Sequence, residues 1–150
     1  MIFSMKRILF CYFSPIGYDY TPLDIGYILS LLKEKTRTED YSFKIVPLSW
    51  GKEEGTGYDP IFEDIDRISF CHPDAVFIFL ENIIWSKVFA INRVKPLALM
   101  LKSRLPHAFV GVQGYRITKE HVAELFSLGA VDCVVASDPE NSFCELEKIL

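Results

Sequence analysis

Residues 74–80 of this chain have the sequence DAVFIFL, an apolar run that starts after a single acid and ends before Glu81 and Asn82. Its length is that of one β-strand, and its apolar residues do not alternate with polar ones. A strand of this kind is typical of a parallel sheet that helices cover on both faces. We therefore expect residues 74–80 to form a central strand.

Four other strand-length segments alternate along the chain with longer segments of helical period. The five β–α units predict a three-layer α/β/α fold, doubly wound and flavodoxin-like or Rossmann-like, with a five-stranded parallel sheet of strand order 2-1-3-4-5. We expect one domain over residues 1–150. The predicted strands are residues 7–12, 42–48, 74–80, 108–112 and 132–135, and the predicted helices are residues 21–35, 60–70, 84–105, 118–128 and 138–150.

Three residues give more local predictions. Thr118 is expected to cap the fourth helix, because a threonine hydroxyl accepts a hydrogen bond from the first turn. Pro96 lies inside the third helical segment and has no N–H to donate, which predicts a kink or a break near Lys95. Pro47 lies in the second strand, and because proline is tolerated mainly at sheet edges, residues 42–48 are expected to form an edge strand.

Composition and charge exclude several classes of protein. The 150 residues are 50% hydrophobic and carry a formal net charge of -4, so neither disorder nor a nucleic-acid partner is expected. Charged residues interrupt every apolar run before the ~18 residues that a membrane span needs, so no membrane partner is expected. The four cysteines show no CxxC spacing, which indicates reduced thiols and a cytoplasmic protein rather than a zinc site or a disulfide framework.

In this fold, ligands bind beyond the carboxyl ends of the strands, so the loops at residues 13–21, 81–86, 113–117 and 136–140 are the candidate site. A phosphorylation receiver needs an acidic pair after the first strand, an aspartate after the third and a lysine after the fifth. The first strand instead ends in CYF and the last in Ala136, which argues against receiver chemistry. The first loop, SPIG at residues 14–17, is poor in glycine for an FMN phosphate. No GxGxxG, P-loop or GxSxG motif occurs.

Several segments together resemble a known family. Residues 106–118 read PHAFVGVQGYRIT, residues 131–143 read VDCVVASDPENSF, residues 22–28 read PLDIGYI, and residues 73–76 read PDAV. These resemble the N-terminal cobalamin-binding domain of cobalamin-dependent radical SAM enzymes, whose strands typically end in Val-Val-x-Gly-Gly-Pro-His and in Tyr-Val-Val-x-Gly-Glu-Gly-Glu. The resemblance implies a cobalamin-binding module, with cobalt held in the corrin and no protein histidine below it.

The chain lacks the radical SAM half of such an enzyme. An iron–sulfur cluster of that type needs a CxxxCxxC triplet, which is absent here, so no iron–sulfur cluster is expected. The chain therefore has no complete active site of its own, and no catalytic residue or protein metal ligand is assigned. It would be part of a longer enzyme, such as a radical SAM methyltransferase, or a free-standing carrier that serves a radical SAM domain or another partner protein.

The resemblance implies a corrin over the carboxyl ends of the strands. Trp85 would stack on the macrocycle, Gly114 would allow a close backbone approach, and polar side chains would bind corrin amides. The candidate cofactor-binding residues are Ser14, Gly17, Tyr18, Asn82, Trp85, Ser86, Gln113, Gly114, Tyr115, Ser137 and Glu140. The alternative is that these are ordinary loop residues of a flavodoxin-like interaction or docking domain that has lost cobalamin binding.

Overall fold

The computed structural model describes residues 5–14, 23–35, 39–49, 55–80, 87–114 and 117–136. Strands and helices alternate along the chain from β1 to β5. The strands are β1 (Lys6–Ser14), β2 (Tyr41–Ser49), β3 (Ala75–Phe79), β4 (Phe109–Gln113) and β5 (Cys133–Val135), and the helices are α1 (Leu23–Lys35), α2 (Ile61–Phe70), α3 (Lys87–Arg104) and α4 (Lys119–Ser127). The predicted fifth helix, residues 138–150, lies outside the described residues.

The five strands form one parallel sheet of order β2-β1-β3-β4-β5, which confirms the predicted fold class. Register places Tyr12 beside Phe79, Phe79 beside Gln113, and Gln113 beside Val135. The carboxyl ends of β1, β3, β4 and β5 therefore meet at one edge of the sheet. We call this edge the carboxyl edge.

Helices cover both faces of the sheet. On one face, β1 contributes Leu9, Cys11 and Phe13 to a core shared with α2, α3 and α4. On the other face, alternate β1 residues pack with Ile25, Ile28 and Leu32 of α1. Every residue of β3 is buried, as the apolar run predicted for a central strand with two covered faces.

The helix α3 differs from its prediction, because it continues through Pro96 without the expected break near Lys95. Pro96 leaves the carbonyl of Asn92 without its helical donor. Both residues are exposed, so water can hydrate that carbonyl. Val94, Leu97, Ala98 and Leu101 are buried along the opposite side of α3, and this packing holds the helix together across the proline.

The start of α4 is as predicted. Thr118 is the N-cap, with extended backbone, and its hydroxyl accepts a hydrogen bond from the backbone N–H of His121 at 3.3 Å. The backbone N–H of Glu120 and the Thr118 hydroxyl both hydrogen-bond the Glu120 carboxylate and lower its pKa. No helix in the described parts of the chain combines the length and the apolar character that crossing a membrane requires.

Candidate functional site

The carboxyl edge is built from residues that pack inward. Tyr12 and Phe13 near the end of β1 are 5% and 2% exposed, and Phe79 at the end of β3 is 1% exposed. Tyr12 belongs to the core under α1, whereas Phe13 belongs to the core under α2 and α3. These three aromatic side chains thus close both cores and are not exposed to a ligand.

The next two residues along this edge, Gln113 and Gly114, are also buried. The carbonyl of Gln113 accepts a hydrogen bond from the backbone N–H of Leu80 at 2.9 Å, and Gly114 donates to the carbonyl of Val135 at 3.0 Å. A Cβ on Gly114 would lie 2.9 Å from Ile117 Cδ1 and 3.3 Å from Leu80 Cβ. The space above Gly114 is therefore filled by the chain's own side chains.

The structure places three of the eleven candidate cofactor-binding residues. Ser14 is the last residue of β1, and Gln113 and Gly114 lie at the end of β4. The remaining eight lie outside the described residues: Gly17, Tyr18, Asn82, Trp85, Ser86, Tyr115, Ser137 and Glu140.

A buried thiol lies beneath this edge. Cys11 is fully buried in β1, and burial, reinforced by the nearby negative charge of Asp64, raises its pKa far above that of a free thiol. A thiol in this setting stays protonated and behaves as a small apolar side chain. Cys11 is therefore part of the packing and offers no nucleophile to the edge.

Comparison with known proteins identifies solved structures that share this fold. Neither a protein-family profile nor a curated protein sequence matches the chain. Among solved structures, a pilus assembly-related protein of Burkholderia pseudomallei is 11% identical with a TM-score of 0.62, and the match covers 97% of this chain and 89% of that one. The CheY-like protein TadZ of Pseudomonas aeruginosa is 12% identical with a TM-score of 0.60, covering 95% and 98%. The BeF3-activated receiver domain of DrrB is 13% identical with a TM-score of 0.56, covering 97% of each chain.

These matches overturn the resemblance to cobalamin-binding domains of radical SAM enzymes, and with it the predicted cobalamin cofactor, its cobalt and the function as a cobalamin module. The structural neighbours are CheY-like and receiver domains. At the carboxyl edge, Gly114, which was expected to allow a close approach to a corrin, is instead covered by Ile117 and Leu80.

Two of the motifs that carried the resemblance have a structural explanation. In the PDAV segment, the Asp74 carboxylate accepts a hydrogen bond at 2.7 Å from the backbone N–H of Arg7, at the start of β1. In the VDCVV segment, the Asp132 carboxylate accepts one at 2.7 Å from the backbone N–H of Val110 in β4. Each aspartate precedes its own strand and fixes the start of the neighbouring one. Such a pattern serves any parallel α/β sheet and is not specific to corrin binding.

The described residues also do not fit the metal and phosphoryl group that receiver chemistry requires. The positions for an acidic pair hold Tyr12 and Phe13, the end of β3 holds Phe79 and Leu80, and β5 is followed by Ala136. Within the described parts of the chain, no three His, Cys, Asp or Glu side chains are grouped so that they could hold a metal ion. The match to receivers is one of fold, and the sequence argument against receiver chemistry stands for these positions.

A second surface was not anticipated from the sequence. Phe62 and Phe70 of α2 are 67% and 84% exposed. With Asp66 between them, they follow the i, i+4, i+8 spacing of one helix face, opposite the inward-facing isoleucines of α2. A groove of about 420 Å³ lies on each side of this face, one against α3 and one against β2. The sequence signal was available, because two phenylalanines on the polar side of an amphipathic helix are unusual.

A buried carboxylate joins α2 to the end of β2. Asp64 is 1% exposed and pairs with the guanidinium of Arg67, one turn later. Its carboxylate accepts hydrogen bonds from the backbone N–H of Ser49 at 2.8 Å and from the Ser49 hydroxyl at 3.2 Å. Because an unpaired buried carboxylate is costly, these partners fix the position of α2 against β2. Sequence analysis gave Asp64 no role, since an aspartate in a short helix is normally exposed.

Proposed function

We propose that this chain is a non-catalytic protein-interaction domain built on a receiver-like fold. The observation that carries the proposal is the burial of Tyr12 and Phe13 at the end of β1, where receiver chemistry would need acids. Aromatic side chains packed into both cores stabilise the fold at this position but cannot hold a metal ion or accept a phosphoryl group.

The surfaces of the chain support a protein partner. Phe62 and Phe70 expose large apolar groups on α2, and exposed aromatic side chains are typical of protein interfaces. Two matched structures are named for pilus assembly, which is a process carried out by interacting proteins. At 11% identity these names support the fold and the kind of partner, and they do not identify the partner.

The proposal is tested by offering the chain the receiver ligands. Beryllofluoride with Mg²⁺ is titrated into isotope-labelled protein while the backbone amide NMR signals are followed, and acetyl phosphate with Mg²⁺ is tested by intact mass. We expect no saturable shift and no added phosphoryl mass. The DrrB receiver domain, which takes beryllofluoride, is the reagent control.

A specific pattern would overturn the proposal. Saturable shifts that cluster at the carboxyl edge, near Phe13, Leu80 and Gln113, would show that the edge binds a phosphoryl analogue despite its apolar packing. A mass increase of one phosphoryl group would have the same meaning.

A further inference from the structure

The strand β2 lies at one edge of the sheet and is nine residues long. It pairs with β1 along its whole length, from Tyr41 beside Lys6 to Ser49 beside Ser14. Within the described residues, no strand pairs with its other side. A long edge strand presents a row of backbone groups to which another chain can add.

The backbone hydrogen bonds show which residues of β2 face outward. The backbone N–H of Lys6 in β1 donates to the carbonyl of Asp40, so Asp40 faces β1 and, by alternation, so do the even-numbered residues of β2. The backbone N–H and C=O groups of the odd-numbered residues therefore point away from β1, toward the open side of β2. Consistent with this, the N–H of Ser49 donates to Asp64 of α2 and not to β1.

Two of the outward-facing positions cannot donate to an added strand. Pro47 has no N–H, and the N–H of Ser49 is already taken by Asp64. The carboxyl half of the β2 edge is therefore blocked. An added strand would pair with the amino half, where the backbone groups of Phe43 and Ile45 are directed toward the open side of β2.

This block limits the registers that are open to a second copy of the same strand. If two antiparallel β2 strands meet with Ile45 opposite Ile45, Phe43 faces Pro47, and the donor of Pro47 is missing. If they meet with Phe43 opposite Phe43, the two Phe43 residues exchange both hydrogen bonds, and Ile45 lies opposite Tyr41. Two-fold registers centred on Tyr41 or Ser42 also keep Pro47 away from the other β2 strand, but they pair fewer residues. The Phe43-centred register therefore gives the longest pairing that avoids Pro47.

On the face of the sheet that α1 covers, the side chains of β2 favour this register. Phe43 is half-buried, and its ring stacks on Phe10 of β1 at a centroid distance of 6.0 Å and on Tyr41 at 6.1 Å. A second Phe43 across the two-fold axis would continue this aromatic row from one sheet into the next. Aromatic cross-strand pairs are among the favourable pairs in antiparallel sheets.

Charge on the α2 face favours a second copy over an unrelated strand. The charged residues that line the groove between β2 and α2 are Lys44, Asp66 and Arg67, and Arg67 is paired with Asp64, so the cation that β2 itself presents is the exposed Lys44. In the Phe43-centred register, Asp40 of the second copy lies opposite Val46 and diagonal to Lys44, within reach of long side chains. Asp40 is exposed, so each copy would bring one carboxylate close to Lys44 of the other. Lys44 lies opposite Ser42, which avoids a pair of like charges.

We infer that two copies of this chain associate through antiparallel β2 strands centred on Phe43, joining their sheets into one. This inference rests on the proposed function as an interaction domain and names a second copy as the partner. Symmetry makes the interface isologous, so each residue contact occurs twice.

Cysteine cross-linking of the full chain tests the register. In F43C, the two new thiols lie on residues whose Cα atoms are about 5.5 Å apart in a hydrogen-bonded antiparallel pair, within the disulfide range of about 4.4–6.8 Å. In the matched control I45C, the new thiols are offset by four residues, roughly 13 Å along the strand, which is too far. Both residues are half-buried on the same face of the sheet, so thermal unfolding of each variant is measured alongside to show that both remain folded. We expect most of F43C to form a covalent dimer on mild oxidation, with I45C at the wild-type background.

A charge-exchange experiment tests the interface without touching the aromatic row. D40K and K44E each turn two attractive diagonal pairs into two repulsive ones, so each alone should weaken the dimer roughly 10-fold. Mixing the two variants restores both attractive pairs, so a heterodimer near wild-type affinity should form. Light scattering on wild type should give twice the chain mass of 17.2 kDa.

The inference is overturned by a folded wild type that stays monomeric at a few hundred micromolar, by I45C cross-linking as well as F43C, or by a variant mixture that stays monomeric. These outcomes are separate from the test of the proposed function. A monomer that does not bind beryllofluoride would contradict the β2 pairing and would still agree with an interaction domain that has another partner. A dimer that binds beryllofluoride would support the β2 pairing and would contradict the proposed function.

Discussion

Two aspartates on α2 provide a matched pair for testing how burial governs the strength of an ion pair. Asp64 pairs with Arg67, and Asp66 pairs with Arg104. The Asp64 side chain is 1% exposed, whereas the Asp66 side chain is 64% exposed. The two residues have the same chemistry, the same helix and the same kind of partner, so alanine substitution at each isolates the effect of the surroundings.

The loss at Asp64 can be worked out from its contacts. D64A removes the acceptor for the backbone N–H and the hydroxyl of Ser49, and hydrogen bonds to charged groups contribute about 1.5–3 kcal/mol each. Arg67 is half-exposed and stays hydrated, so the full penalty for a stranded buried charge does not apply. The two bonds share one carboxylate, so their contributions do not add, and Ser49 is only partly buried, so water can reach its freed donors. We therefore expect D64A to lower the free energy of unfolding by about 2–3 kcal/mol. We expect D66A to lower it by at most ~0.5–1 kcal/mol.

Urea denaturation followed by circular dichroism measures both values, provided that the slope with urea is the same for each variant. In thermal unfolding, the D64A loss corresponds to roughly 4–12 °C for a chain of this size. Added salt should shrink the D66A effect and leave most of the D64A effect. Equal losses for the two variants, or a larger loss for D66A, would refute the argument that burial and the Ser49 contacts make Asp64 the stronger anchor.

Two further substitution or labelling experiments probe the core. A Cβ on Gly111 of β4 would lie 2.4 Å from Phe77 Cδ1, so G111A should lower the free energy of unfolding by about 1–3 kcal/mol. Adding F77L to G111A should relieve part of that loss. Strictly additive losses for the two substitutions in urea denaturation would contradict the contact. The control G26A has nothing within 4 Å of the added Cβ and should stabilise α1 by about 0.5–1 kcal/mol. Burial raises the pKa of Cys11, so Ellman's reagent at pH 8 should not label this thiol in the native chain but should label it in urea. Peptide mass identifies the labelled cysteine. Labelling of the native chain as fast as the denatured chain would show that the thiol is accessible.

The fold followed from the sequence because its strongest signals are local. The apolar run of β3, the Thr118 cap and the tolerance of Pro47 at an edge each depend on a few neighbouring residues, and each was predicted correctly. Pro96 was misjudged because the stability of α3 depends on the sheet beneath it. Tertiary packing of Val94 and Leu97 outweighs one missing hydrogen bond, and no local pattern reveals this.

The site was harder to predict, for a different reason. Asp74 and Asp132 matched a cofactor-binding family, yet both serve backbone N–H groups at the amino edge of the sheet, far from where a ligand would bind. The sequence shows that an aspartate precedes a strand, but not which atoms it contacts. Asp64 has the reverse problem, because its importance comes from unusual burial, which only the folded chain displays.

The two edges of the sheet differ in length, with nine residues in β2 and three in the described β5. Head-to-tail growth would have to join the long edge of one copy to the short edge of the next, and three residues of pairing give little to hold such a junction. Self-pairing of the long edge uses that edge in both copies and leaves only short ends exposed. The unequal edges thus favour a closed assembly of limited size and oppose the open-ended strand addition that leads to fibres.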